Sequence, residues 1–226
     1  MSWFQRYVRS SVGAKQVMAV TGLAMVLFAI VHMIGHLQMF GGQDMYNAYA
    51  HTLQNLEIKW VARGGLIVIV GLHIITAIRL VSANRAARPV PYAMYKGKAS
   101  TLASRTMALT GLVILAFIIY HLLHFTIGTI QPQYFHMLDG KGRNDAFSMF
   151  VRGFQNPAIF ASYLVAVGLL CMHLGHGASS WLQSLGLRHP KYGTDKVGTA
   201  IGVVLFLGYI LPPAAVLAGV IKLPGA

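Results

Sequence analysis

An all-α integral membrane protein with five transmembrane helices is what this sequence predicts, and three observations predict it. Hydrophobic residues make up 56% of the 226 positions and charged ones only 10%, with a mean hydropathy of +0.60, far from the balance of a soluble domain. The charges fall so that five stretches contain none: residues 16–43, 64–78, 106–138, 153–187 and 197–221. Each can hold one helix across the hydrocarbon, which takes about 20 residues. Finally, 18 Lys and Arg stand against five Asp and Glu, a formal charge of +13, and the basic residues gather mostly on alternate sides of the five stretches. This balance excludes a water-soluble enzyme, and the long uncharged runs assign the basic excess to a lipid surface, not to nucleic acid.

Taken in order, the spans are expected near 16–40, 60–81, 106–129, 157–181 and 197–221. The first run is longer than a signal-peptide core and lacks an Ala-x-Ala exit, so it is expected to remain in the mature protein. In the second, Arg63 and Arg79 flank a short uncharged block and can snorkel toward the two interfaces. The fourth has the clearest start, since Asn156 followed by Pro157 suits an N-cap and first helical position. In the fifth, Pro212 and Pro213 predict a kink or an early break. No soluble domain or low-complexity linker interrupts the pattern, so residues 1–226 read as one transmembrane domain.

Orientation follows from counting Lys and Arg on either side. Arg6, Arg9, Lys15, Arg79, Arg85, Arg88, Lys96, Lys98, Arg105, Arg188, Lys191 and Lys196 share one side, twelve in all. Lys59, Arg63, Lys141, Arg143, Arg152 and Lys222, six, share the other. The N-terminus is therefore expected in the cytoplasm and the C-terminus outside. The loop 82–105, with Pro89 and Pro91, is the largest basic surface for a partner or for anionic lipid.

Chemistry resides in the histidines. Seven of the ten fall inside spans: His32, His36, His73, His121, His124, His173 and His176, while no Asp or Glu does. A single intramembrane imidazole is as well explained by a hydrogen bond between helices; seven on four helices call for a function. At about 1.5 Å per residue, His32 lies roughly 24 Å from the inner end of span one and His121 about 22 Å from that of span three. His73 and His173 each lie about 12 Å from the inner ends of spans two and four, a level about 10 Å below the first.

Two imidazoles facing one another at equal depth are what a six-coordinate haem iron requires as axial ligands. Two such pairs predict two stacked b-type haems, with helices one to four forming a di-haem bundle. Cys171 is the single cysteine, so no internal disulfide, Cys cluster or Cys-x-x-Cys-His haem attachment is available. An internal repeat selects the outer pair: Thr21-Gly22-Leu23 precedes His32 by the same eight residues that separate Thr110-Gly111-Leu112 from His121. His36 and His124 form the runner-up outer pair, and His176 is read as facing a propionate or a quinone. His51, His136 and His189 are loop residues. Ser11, Lys15, Arg79 and Arg105 sit where haem propionates at the inner interface would want charge-assisted bonds, although interfacial anchoring explains them equally well. Gly22, Gly35, Gly71, Gly168, Gly175 and Gly177 would let backbones and flat rings approach.

The stretches SVGAKQVMAVTGLAMVLFAIVHMIGHLQMF, SRTMALTGLVILAFIIYHLLHFTIG and CMHLGHGASSWLQSLGLRHPKYG resemble the cytochrome b membrane subunit of bacterial succinate dehydrogenases, in its five-helix, two-haem class, over nearly the whole chain. The resemblance implies a multi-pass subunit of the bacterial cytoplasmic (inner) membrane, at the junction of the tricarboxylic acid cycle and the respiratory chain. It would anchor a flavoprotein subunit and an iron-sulfur subunit at the cytoplasmic face, with succinate oxidation on those partners. Electrons would pass through two haem b groups to a quinone, menaquinone by analogy with this class, and the whole complex could form an oligomer. By the same resemblance His32 and His121 hold the distal haem, while His73, six residues before Arg79, and His173, four before Gly177, hold the proximal one. One departure stands out: where some fumarate-reducing relatives carry a glutamate two residues before the helix-four ligand, this chain has Cys171, so no proton route is expected there. The quinone has candidates at both faces, with Ser11, Lys15, Trp181 and His189 on the inner one.

Other readings remain open at this level: a fumarate reductase running in reverse, the cytochrome b subunit of a hydrogenase or nitrate reductase, and a His-lined transition-metal transporter.

Overall fold

The computed structural model describes residues 2, 3, 6, 7, 10–87, 90, 101–187 and 194–225. The expectations placed on Arg9, Arg88, Pro89, Pro91, Lys96, Lys98, Arg188, His189 and Lys191 lie outside them. The described chain is helical: α1 (Ser11–Leu37), α2 (Gly42–Asn55), α3 (Ile58–Ala86), α4 (Leu102–His121), α5 (Ala146–Phe154), α6 (Pro157–Ser184) and α7 (Thr194–Leu217). An isolated bridge between Leu138 and Asn144 is the nearest thing to a strand among these residues. Five helices, α1, α3, α4 with the π-turn that follows it, α6 and α7, are long and apolar enough to cross a membrane. Large apolar side chains such as Val31, Ile67, Ile75, Leu112 and Val165 point outward from them, the surface a lipid-embedded bundle presents.

Side chains at the helix starts explain the observed bounds. Ser10 caps α1 by accepting from the Gly13 amide at 3.0 Å, and so α1 opens before the expected residue 16. Lys15 stays within the helix, its ammonium exposed. Thr101 caps α4 and Asn156 caps α6 ahead of Pro157, the latter where the sequence placed it. Of the kink or early break expected at Pro212–Pro213, the early break does not occur, and α7 runs through both to Leu217. Two prolines remove two amide donors, and Pro212 is fully buried in the bundle.

The helices alternate in direction. Packing runs α3 on α1, α1 on α6 and α6 on α4, with α7 laid against α6 and α1. A mid-bundle core gathers Val26, Ala29, Met33, Val167, Cys171, Leu174 and Leu205. The starts of α1 and α4 and the ends of α3 and α6 share one end of the bundle, called here the open end. The opposite, capped end carries α2 and α5, whose aromatic face (Tyr46, Phe147, Phe150, Phe154) packs with Tyr163, Val216 and Ile221.

Neither α2 nor α5 was expected from the sequence. A polar network ties them together. Asn47, fully buried, donates to Asp145 at 2.9 Å and to Asp139 at 3.2 Å and accepts from the Phe147 amide at 2.9 Å. Arg143 bridges Asp139 and Asp44, and Lys141 also reaches Asp44. Burial pushes the Asp139 carboxyl up, but the Arg143 side chain and the amides of Arg143 and Lys141 outweigh it and hold it below the usual carboxylate range. Burial likewise acts upward on Asp145, and bonds from Asn47, Ser148 and Gln43 reverse it. Carboxyls lowered in the folded state stabilise it fully above the ordinary value of about 3.9 and lose that contribution as pH falls through the lowered one. Protection of the Phe147 and Ser148 amides against hydrogen exchange, corrected for intrinsic rates, is therefore expected to hold from about pH 7 to 5 and to fall only below about pH 4. Loss near pH 6 would contradict the network.

Candidate metal centres

The intramembrane histidines occupy two tiers. His32 and His36 from α1 and His121 and His124 from the end of α4 meet toward the capped end. His73 on α3 and His173 on α6 lie toward the open end, each against a threonine of a neighbouring helix, with His176 one turn from His173.

In the capped-end tier the rings of His32 and His121 stand 5.9 Å apart, nearly perpendicular at 85°. Metal–imidazole bonds of about 2 Å put the centres of two opposed axial rings about 6 Å apart, so the spacing suits one iron between them. His36 adds a third imidazole: its Nε2 lies 3.3 Å from Nε2 of His32, and its Nδ1 lies 3.0 Å from the Tyr46 hydroxyl. This tier thus offers three rings for two axial positions. His124, on the π-turn Leu122–Thr126, is engaged at both nitrogens. Its Nε2–H donates to Gln131 Oε1 at 3.0 Å and its Nδ1 accepts from the Tyr163 hydroxyl at 3.1 Å, leaving no lone pair for a metal. Gln131 is held there with φ at 57°, in the left-handed region, at a cost on the order of 1 kcal/mol. The Tyr163 oxygen also lies 3.4 Å from Nδ1 of His121. A tyrosine that donates to one ring can accept from the other, which leaves Nε2 of His121 open.

In the open-end tier the residues of the internal repeat return in a second role. Thr21 on α1 places Oγ1 3.1 Å from Nδ1 of His73, and Thr110 on α4 places Oγ1 3.0 Å from Nδ1 of His173. A Cβ added to the following glycine, Gly22 or Gly111, would meet Cε1 of the same ring at 3.5 or 3.6 Å. The repeat, used in the sequence to select His32 and His121, thus also serves the other two histidines. Nothing in the sequence tells which helix faces which, and so these partners, like Tyr46, Tyr163 and Gln131, escaped sequence reasoning.

Of the remaining candidates, Ser11, Lys15, Arg79 and Arg105 are exposed toward the open end, beyond the tier of His73 and His173. His176 Nε2 lies 3.3 Å from Ser180 Oγ. His51 and His136 are exposed; His51 lies on α2 and not in the loop expected for it, bonded to Asn55. Cys171 is buried in the apolar core. Gly35 lies against the Tyr49 ring and Gly175 against α7, whereas Gly71 and Gly177 have no neighbour within 4 Å of an added Cβ.

Among the described residues no three His, Cys, Asp or Glu side chains are arranged to hold a bare metal ion. The donor set that is present, imidazoles on neighbouring helices with Nδ1 of His73, His173 and His121 engaged by hydroxyl groups, fits a haem iron whose macrocycle supplies the other four ligands. Comparison with family models, with curated proteins and with solved structures gives no match.

Proposed function

We propose that this chain is the membrane-anchoring, di-haem cytochrome b subunit of a bacterial succinate dehydrogenase, passing electrons from an iron-sulfur partner subunit to menaquinone. The observation that carries the proposal is the pair of histidine tiers, one with rings spaced for a single iron and the other with both Nδ1 atoms engaged by threonine. Five helices fit to span a membrane agree with it. The sequence resemblance supplies the partners, a flavoprotein and an iron-sulfur subunit docked on the cytoplasmic face, and the quinone.

His73 and His173 would hold the haem nearer the open end, and His32 and His121 the other. Each haem, when bound, carries one electron at a time. The chain's own part is placement and tuning. Opposed helices fix the ring pairs, Thr21, Thr110 and Tyr163 engage their outer nitrogens, and apolar walls around Val26, Val167 and Leu174 keep water from the path. Lys15, Arg79 and Arg105 would receive the propionates. The basic open end, taken as cytoplasmic, presents the docking surface.

Purification of the chain from membranes, with its absorption spectrum and identification of its companions, tests the proposal. Expected are about two haems per chain with b-type bands in the reduced state, and co-purifying flavoprotein and iron-sulfur polypeptides. A colourless chain that binds copper or zinc would overturn it in favour of transport. Haems with no flavoprotein companion would move the chain to another membrane oxidoreductase.

A further inference from the structure

We infer that Thr21 and Thr110 are positioning residues that lock His73 and His173 in the Nδ1–H tautomer, so that each Nε2 keeps its lone pair for a metal. A hydroxyl carries a single proton. Thr21 Oγ1 lies 2.7 Å from the Val17 carbonyl and 3.1 Å from that of Met18, and Thr110 Oγ1 lies 3.0 Å from the carbonyl of Thr106 and 3.2 Å from that of Met107. In each case the proton is donated back into the threonine's own helix. Only lone pairs remain for the histidine. A neutral imidazole meeting a lone pair at Nδ1 must carry its one proton there, and its Nε2 is then an acceptor, or a metal ligand.

Back-bonded threonines are common in membrane helices and need no further partner. Here the pattern occurs twice, at the same place in an internal repeat, each time against a histidine from another helix at 3.0 to 3.1 Å. Both threonines are buried, at 7% and 4% exposure. His121 is served differently, by a phenol at the longer distance of 3.4 Å. The two tiers are thereby tuned by different groups.

For its effect at iron the inference rests on the haem reading; for the tautomer it does not. An acceptor on Nδ1–H raises ligand basicity and favours the ferric state, so its loss raises the reduction potential. In the full chain in lipid, Thr21→Val and Thr110→Val, which keep the volume and remove the hydroxyl, are each expected to shift the ferric-to-ferrous ratio of one and the same haem about tenfold toward ferrous, equivalent to ~59 mV for a one-electron couple. The other haem stays in place, and Thr→Ser at either position restores the native value. Potentials unchanged in both valine variants would overturn the inference. Should the chain carry no haem, the function reading fails and the tautomer is decided by nitrogen NMR of the ring-labelled histidines. Nδ1–H at His73 and His173, lost in the valine variants, supports the lock; Nε2–H in the native chain ends it.

Discussion

Replacing His73 or His173 by alanine is expected, on the proposed reading, to lower the haem content of the purified chain from about two per chain to about one, because a six-coordinate iron would lose one of its two protein ligands and the described side chains around it are engaged elsewhere. The rest of that tier is already committed. Thr21 and Thr110 bond the ring nitrogens, and His176 is in contact with Ser180. The same loss is expected at the other tier for His32→Ala and His121→Ala. His124→Ala is expected to leave the count near two, since both nitrogens of that ring are spent on Tyr163 and Gln131. His36→Ala is the discriminating variant. Its ring contacts His32 through Nε2 and is held at Nδ1 by Tyr46, the arrangement a ligand would show, yet the repeat spacing selects His32. Haem content near two in His36→Ala, read from pigment-to-protein ratios, keeps His32 as ligand; loss of one haem would hand the position to His36.

The spans were legible because lipid imposes a composition that needs no knowledge of neighbours: uncharged runs of about 20 residues have one use. Their ends were less so. Lys15 inside α1 and the π-turn after His121 depend on local bonding that a hydropathy pattern does not contain. The cap was missed for a related reason. α2 reads as a polar loop, and α5 is only nine residues long, although AFSMFVRGF carries an aromatic stripe at helical spacing that was available to be seen. Three of the five acids, Asp44, Asp139 and Asp145, converge in this cap from positions about a hundred residues apart, a pairing no periodicity encodes. At the histidines, simple rise arithmetic placed the two tiers, because straight helices convert residue number into depth. It could not supply azimuth. Which helix faces which decides that Thr21 serves His73 while its own helix carries His32, and that information lies in packing between distant segments.

Azimuth is settled in large part where α6 and α7 touch, and Gly202→Leu is expected to disrupt that contact with the largest stability loss of any single substitution considered. A Cβ on Gly202 would stand 2.8 Å from the Cys171 carbonyl oxygen and 3.5 Å from Gly175 Cα, while one on Gly175 would stand 3.0 Å from the Gly198 carbonyl. Gly198 and Gly202, four residues apart, form a small-xxx-small pair that brings two backbones together. The atoms in the way are main chain, so no rotamer change relieves the clash, and α7 must move as a body. Leu205, 1% exposed, would then lose its place in the core, and the 2.7 Å bond from Tyr209 to the Ala29 carbonyl that ties α7 to α1 would break. Overpacking of this kind costs about 3 kcal/mol when backbones must part, a fall of roughly 6–12 °C in melting temperature for a chain of this length. Because α6 carries His173, the same variant is expected, on the proposed reading, to release haem from the open-end tier at lower temperature than from the other. Gly64→Leu is the matched control: an added Cβ there meets nothing within 4 Å, and its melting curve is expected to overlay the native one. Coincident curves for Gly202→Leu and Gly64→Leu would mean that α7 is not held against α6 by these glycines, and with that the rotational setting of His173 would need another cause.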